Sequence, residues 1–424
     1  MTRSLQDWLS YLEQLHPTAI DMGLERVAQV AKRLGLSRPA RRVVTVTGTN
    51  GKGSTCAFLA ALLADRGQRV GVYSSPHLLR YNERVRIDGQ DASDEALCNA
   101  FAAVEAARGE VSLTYFEMGT LAAFWLFERA DLDVAVLEVG LGGRLDAVNL
   151  VDADLALVTS IGLDHSEWLG DTRDSVAREK AGIFRAGRPA LCGDMEPPAC
   201  LLEIAAELGT PLWLRGRDFD LQIGEPGWSW RGRDAQGKAL ALAELPLLDL
   251  PMENATLALQ ALALLEPDWN DRPLAPVLAG TRVTGRLERR QVRVNDRLLT
   301  LRLDVGHNPQ AAAFLAGRLA KRPEGGRRLA VFGLLSDKDL PGVVQPMSKV
   351  VDAWWVAPLP TPRSRPAGEL LAALQLAGAQ VVEAGSVGEA LDRCAAEAGE
   401  QDEILVFGSF YSVAEALDWL ARYE

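Results

Sequence analysis

Val46-Thr-Gly-Thr-Asn-Gly-Lys-Gly-Ser-Thr55, VTGTNGKGST, is the stretch that decides the reading of this chain. It closes an apolar, β-branched run, "RRVVTVTGTNGKGS", and opens a helical one, "STCAFLAALLADRG". A phosphate-binding loop of the form GxxxxGK[ST] sits at such a strand-to-helix junction, where backbone N–H groups and the lysine hold phosphates and the hydroxyl reaches the metal. Gly51 and Lys52 fit that form, but Val46 stands where the first glycine belongs and Gly53 where the hydroxyl belongs. The hydroxyl comes one place later, at Ser54. A plain glycine turn would not need a lysine after the glycine, so nucleotide phosphate binding is the reading to carry forward.

Working outward, the same rhythm repeats. "QRVGVYSSPHL", "LDVAVLEVGLGG" and "ADLALVTSIGLDH" are short continuous apolar runs separated by helical stretches such as "YFEMGTLAAFWLFERA". This alternation predicts an α/β fold with a parallel sheet covered on both faces, and ligands then gather at the carboxyl ends of the strands. The four runs end at Gly48 to Ser54, Ser74 to His77, Glu138 to Gly143 and Asp164-His165. The polar chemistry therefore converges on one edge.

Two residue types at these ends point to a magnesium nucleotide. Glu138 interrupts an apolar run, and a buried carboxylate is costly unless it is paired or metal-bound; on its own it could equally be a salt-bridged core residue. Of four histidines, His77, His165 and His307 all follow strands, whereas His16 does not. A lone histidine there would usually be a hydrogen-bonded turn residue, but three in equivalent places favour a site. His165 with Glu138 and Ser75 could complete magnesium coordination.

From about Ala190 to Asn254 the pattern loosens, and "GEPGWSWRGRDAQGKA" reads as turns and short antiparallel strands decorating the first domain. "NATLALQALALLE" resumes as a helix, and "LAGTRVTGRLERRQ" holds the expected linker. The βα rhythm then restarts in "LLTLRLDVGHNP", "RRLAVFGLL", "DAWWVAP", "AQVVEAG" and "EILVFGSF". The expected organisation is a P-loop ATP- and folate-binding domain over 1–281, a linker over 282–287 and a Rossmann-like domain over 288–424.

Composition narrows the class. The chain has 424 residues, 48% of them hydrophobic, and its 45 basic against 57 acidic residues leave a net charge of -12, which argues against nucleic acid or an anionic membrane as the main partner. Five cysteines without CxxC spacing suggest neither a disulfide framework nor a zinc site. No run is long enough to span a membrane. A cytoplasmic, monomeric protein acting on small molecules is expected.

At this point a family resemblance appears. "TGTNGKGS", "SSPHL", "EVGLGGRLDAVN", "GLDHSEWLG", "EKAGIF", "GRLE", "LDVGHNP" and "GSFYSVAEAL" resemble, in order and across essentially the whole chain, the folylpolyglutamate synthase and dihydrofolate synthase family within the Mur-type ATP-dependent amide ligases. The unusual loop is that group's own form.

The resemblance implies roles residue by residue. Thr49, Asn50, Gly51, Lys52, Gly53 and Ser54 would cradle ATP, with Asn254, Arg286 and Asp304 as further nucleotide contacts. Ser54, Ser75, Glu138 and His165 would hold magnesium; Lys180, which by itself reads as a solvated helix lysine, would be carbamylated and help hold a second magnesium. Lys52, His165, Lys180 and Arg286 form the implied catalytic set. Arg84, Phe116, Asp146 and Asn149 would shape the folate pocket, with loop capping for Asp146 and core packing for Phe116 as open alternatives, and His307, Ser409 and Tyr411 would lie near nucleotide and incoming glutamate. The implied substrates are ATP, L-glutamate, dihydropteroate and reduced folates.

The implied chemistry makes the acceptor carboxylate a leaving group by phosphorylating it, which agrees with the lack of a G-x-S-x-G elbow or a paired Cys/His signature. "SPHLLRYNERVRI" with "GLGGRLDAVN" resembles the bacterial bifunctional form; a folylpolyglutamate synthase alone is the alternative. A muramyl-peptide ligase fits less well, because only a short stretch precedes the loop where such enzymes carry a further domain. A non-enzymatic P-loop switch would have no need of "GRLE" and "LDVGHNP".

Overall fold

The computed structural model describes residues 3–423. Residues through Thr281 form one compact unit and those from Arg282 onward a second.

The first unit is built on an eight-stranded sheet. Its strands are β1 (Arg42–Thr47), β2 (Val70–Tyr73), β3 (Val85–Ile87), β4 (Gln90–Asp91), β5 (Val134–Glu138), β6 (Leu155–Val158), β7 (Ala190–Cys192) and β8 (Leu212–Leu214), in the spatial order β4-β3-β2-β5-β1-β6-β7-β8. From β2 to β8 all pairings are parallel. Because β1 and β5 are buried along almost their whole length, their apolar runs are continuous rather than alternating, as a sheet covered on both faces requires. Four neighbouring strands, β2, β5, β1 and β6, are the four whose ends carry the polar motifs. Burial of Val43, Leu137, Val158, Phe124 and Phe127 at under 3% exposure builds the core, and each such side chain contributes roughly 1.5–3 kcal/mol.

Helix Lys52–Asp65 leaves the end of β1 and packs on helix Met252–Leu265. That places Asn254, at the start of the second helix, beside the loop that starts the first. A smaller antiparallel sheet, β9 (Asp220–Ile223), β10 (Trp228–Arg233) and β11 (Ala239–Leu245), carries the Trp-rich stretch.

One sequence expectation is corrected here. Residues 190–214 are not part of the decoration: β7, helix Ala199–Leu208 and β8 continue the parallel sheet. Strands of three residues are too short to show a period. A second feature, the antiparallel edge formed by β3 and β4, was not foreseen for the same reason.

The second unit holds a six-stranded sheet of β12 (Glu288–Val294), β13 (Arg297–Asp304), β14 (Arg328–Phe332), β15 (Ala353–Val356), β16 (Gln380–Glu383) and β17 (Glu403–Phe407), ordered β12-β13-β17-β14-β15-β16. Only β12 runs antiparallel, as an edge; its Glu288–Gln291 lie in the stretch whose composition suggested a linker region. Phe332 and Phe407 stack at 4.8 Å in its core.

Candidate active site

The loop at the end of β1 is locked before any ligand enters. Gly48 has φ 150°, and a Cβ there would stand 1.8 Å from Thr159 Oγ1; Gly51 has φ 89°, and a Cβ there would stand 2.5 Å from Asn254 Oδ1. Only glycine suits both places. Thr159 Oγ1 and Ser160 Oγ donate to the Asn50 carbonyl at 2.6 and 3.1 Å, and the Thr49 amide donates to the Ser160 carbonyl at 2.8 Å. The end of β6 thus braces the phosphate loop. Lys52 Nζ donates to the Gly48 carbonyl at 2.9 Å, folding its side chain back over the loop.

The neighbouring strand ends add charge. Glu138, buried at the end of β5, accepts from the Ser75 amide at 3.3 Å, and its carboxylate lies 3.7 Å from where a Gly53 Cβ would be. Ser54 is buried in the first turn of the helix that follows. So Ser75, Glu138, Gly53 and Ser54 come together. His165 sits on the next loop with φ 53°, at the start of the short helix Ser166–Leu169. Among the described residues no group of three or more His, Cys, Asp or Glu could by itself hold a metal. The implied set contains only two residues of those types, so its remaining ligands have to be hydroxyls, a carbamate and phosphate oxygens.

Lys180 is the least expected member. Only 3% exposed, it lies on helix Arg173–Ala181, against which the loop after Glu138 packs: a Cβ on Gly143 would be 3.2 Å from Lys180 Cα. Burial first, and then the positive charge of Lys52, push its ammonium down to about 7, while Asp164 and Asp146 pull the other way. Lys52, Lys180, Asp146 and Asp164 therefore sense one another. A signal for this was present in the chain: Lys180 lies four residues after Val176 and three after Ala177, both buried, which is the apolar face of the helix.

Asp146 is also buried, and burial raises its carboxyl to about 6 despite the amides of Leu141, Val148 and Gly140. It caps the short turn Ala147–Leu150 and accepts from the Leu141 amide at 2.8 Å. Asn149 holds the same loop: its amide donates to the carbonyls of Arg144 and Gly182, both at 3.0 Å, and accepts from Arg185 at 2.8 Å. That leaves it no hydrogen-bonding group for a ligand. Phe116 lies half-buried against Gly140, where a Cβ would approach the ring to 2.7 Å, and its ring is 5.9 Å from that of Tyr73. Arg84 donates from Nε to His77 Nδ1 at 2.7 Å.

In the second unit Asp304, at the end of β13, accepts from the Leu287 and Gly306 amides at 2.9 and 2.7 Å; its carboxyl is raised by burial, with Arg286 opposing. Arg286 lies 5.2 Å from the Phe410 ring, and the His307 ring 6.3 Å from it. Ser409 caps helix Phe410–Leu420 and accepts from the Tyr411 amide at 2.9 Å, while Tyr411 is exposed. These five residues share the carboxyl ends of β13 and β17.

Comparison with known proteins gives the class first. The Mur ligase middle domain matches residues 46–190, and the Mur ligase glutamate ligase domain matches residues 285–410. The dihydrofolate synthase/folylpolyglutamate synthase of Escherichia coli (strain K12) is 47% identical over 414 residues, 98% of this chain and 95% of that one. Its counterpart in Haemophilus influenzae is 42% identical, covering 98% and 97%. The structure of E. coli FolC in complex with DHPP and ADP superposes with a TM-score of 0.92 at 46% identity, covering 100% of this chain and 99% of that one. A bifunctional enzyme of the same description from Yersinia pestis, complexed with AMPPNP and Mn ion, gives 0.88 at 45%, covering 99% and 98%. The chain belongs to the dihydrofolate synthase/folylpolyglutamate synthase family. No described helix is long and apolar enough to cross a membrane.

Proposed function

We propose that this chain is an ATP-dependent ligase that joins L-glutamate to dihydropteroate and to reduced folates. The observation that carries the reading is the convergence of a braced phosphate loop, buried Glu138 and buried Lys180 at one edge of a single sheet. The naming of full-length relatives for both activities supports the choice of acceptors.

The acceptor's carboxylate oxygen attacks the γ-phosphorus of ATP, the bridging P–O bond breaks, and ADP leaves. Glutamate's amine then attacks the acyl carbon of the resulting acyl phosphate; the C–O bond breaks, phosphate departs with that oxygen, and the amine loses a proton to solvent. Loop amides from Thr49 to Ser54 hold the phosphates, and Lys52 offsets charge on the transferring group. Asn254 keeps its side chain against Gly51. From the second unit Arg286 and Asp304 serve the nucleotide, and His307, Ser409 and Tyr411 the nucleotide and glutamate. Phe116 and Asp146 contact the acceptor, and Asn149 holds their loop in place.

Magnesium fits the residues present, since a buried carboxylate beside the loop has no other reason to stay ionised. Ser54, Ser75, Glu138, His165 and a carbamylated Lys180 are the residues that would hold it, and it would draw charge from the phosphoryl oxygens. The protein is read as a monomer without nucleic-acid or membrane partners, acting in the cytoplasm.

An isotope experiment tests the mechanism. With 18O in the acceptor carboxylate, one labelled oxygen should appear in the released phosphate; unlabelled phosphate would remove the acyl phosphate. Lys52→Ala should lower kcat by about 10²- to 10³-fold. ADP release that requires a reduced folate and ignores dihydropteroate would leave the chain a folylpolyglutamate synthase only.

A further inference from the structure

We propose that Arg84 receives the carboxylate of the aryl acceptor, and that His77 is the residue that positions Arg84 for it. The inference rests on the ligase reading above and names the residues that would recognise one of its substrates.

Arg84 is half-buried at the end of the loop that begins at Ser74. Its guanidinium carbon lies 5.4 Å from the centre of the Tyr81 ring and 5.5 Å from that of Tyr115, a cation held on aromatic faces. Its Nε–H is spent on His77 Nδ1 at 2.7 Å. Among the described residues no carboxylate pairs with it, although the chain carries an excess of twelve negative charges. The acid next to it in sequence is turned away: Glu83 accepts from the backbone amides of Leu78, Leu79 and Arg80 at 2.7–2.8 Å. A half-buried guanidinium whose terminal NH2 groups lack a protein acid is arranged to receive one from outside.

His77 fixes the direction of that cation. Because Nδ1 accepts from Arg84, the proton of the neutral ring resides on Nε2, and a protonated ring would place two cations in contact. Burial, and then the Arg84 charge, hold the imidazole down to about 4, so the acceptor form persists at neutral pH.

The surroundings say which carboxylate. The Tyr81 ring, whose buried hydroxyl has no hydrogen-bond partner, packs on Tyr115 at 5.8 Å. Tyr73 packs on Phe116, and Phe116 covers Gly140, two residues after Glu138. An aromatic wall thus leads from Arg84 to the loop that follows the proposed metal carboxylate. A flat aryl acid matches a wall of rings with a cation; glutamate, which is aliphatic, does not.

Binding of pteroate without ATP, followed by calorimetry, tests this apart from turnover. Arg84→Gln should weaken binding about 10- to 100-fold, the loss of a charge-assisted contact. His77→Leu should weaken it about 3- to 10-fold, and His77→Asn, whose Oδ1 can accept the same bond, should restore it to within about 2-fold. In steady state the effect should fall on KM for the acceptor, with KM for glutamate and ATP unmoved. Wild-type affinity in a folded Arg84→Gln protein, a failure of Asn to rescue where Leu fails, or a rise confined to the glutamate KM would each overturn the proposal. A wild type that forms amide product yet owes none of its pteroate affinity to Arg84 would leave the ligase reading standing and this one fallen; a wild type that neither binds pteroate nor ligates would remove both.

Discussion

Thr49 Oγ1 and the backbone of Gly162 form a closed pair: the hydroxyl donates to the Gly162 carbonyl and accepts from the Gly162 amide, each at 2.9 Å. One side chain of the phosphate loop thereby satisfies both polar groups of a residue three places before His165. Arg173 and Asp194 secure the neighbouring Ile161 carbonyl and amide at 2.9 and 2.8 Å. The loop that carries Asp164 and His165 is thus tied on two sides. Thr49→Val should leave two backbone groups unpaired, lowering stability by about 1–2 kcal/mol and kcat by roughly tenfold, whereas Thr49→Ser should keep both values near wild type. Equal kcat for the Val and Ser variants would detach this contact from catalysis.

Lys180 makes stability depend on alkaline pH. Its folded value of about 7 lies below the ordinary 10.5, so above pH 7 the unfolded chain binds a proton that the folded chain does not. Stability from this group is therefore fully present above about pH 10.5 and is lost as pH falls through 7. In carbon-dioxide-free buffer, urea midpoints of the wild type should rise between pH 7 and 10 more than those of Lys180→Met. Parallel curves would mean that the ammonium is solvated.

The same low value leaves a large fraction of free amine at neutral pH, the form that reacts with carbon dioxide. Adding bicarbonate should raise activity and add the mass of one carbamate to Lys180 in native mass spectra. Full activity in Lys180→Ala would rule out a metal-holding role.

Asp146 acts in the opposite sense. Its folded value of about 6 lies above the ordinary 3.8, so between those limits the folded chain holds the extra proton. This group's stabilisation is fully present below about pH 3.8 and is lost as pH rises through 6. Asp146→Asn should flatten the change in urea midpoint between pH 4.5 and 6.5, and an unchanged slope would contradict the burial seen for this carboxyl.

In the second unit the buried Arg328 donates to Glu403 at 2.8 Å and to the Leu319, Val350 and Lys321 carbonyls. Arg328→Met leaves Glu403 with Arg302 alone and should destabilise the unit by about 3–5 kcal/mol. The double variant Arg328→Met/Glu403→Leu should recover part of that loss in thermal melts; equal melting points for single and double variants would deny the coupling.

How much of this could be read from residues alone follows from range. The phosphate loop and the ends of β2, β5 and β6 were legible because apolar β-branched runs stop abruptly at glycine and polar residues, a local signal. Long-range partners were not. The full engagement of the Asn149 amide depends on Gly182 and Arg185, more than thirty positions away, and the burial of Lys180 depends on a loop that packs over it. β7 and β8 were missed because three residues cannot display a period. The expectation of four strands converging on one edge held because each helical crossover returns the chain to the same side of a parallel sheet.

Bracing of the Asn50 carbonyl by Thr159 and Ser160 has a thermodynamic reach beyond the loop's shape. A cradle whose backbone is already immobilised surrenders little conformational freedom when a triphosphate arrives, so affinity is set mainly by desolvation and charge. Truncating those two hydroxyls should leave enthalpy of association nearly intact while making its entropy markedly less favourable.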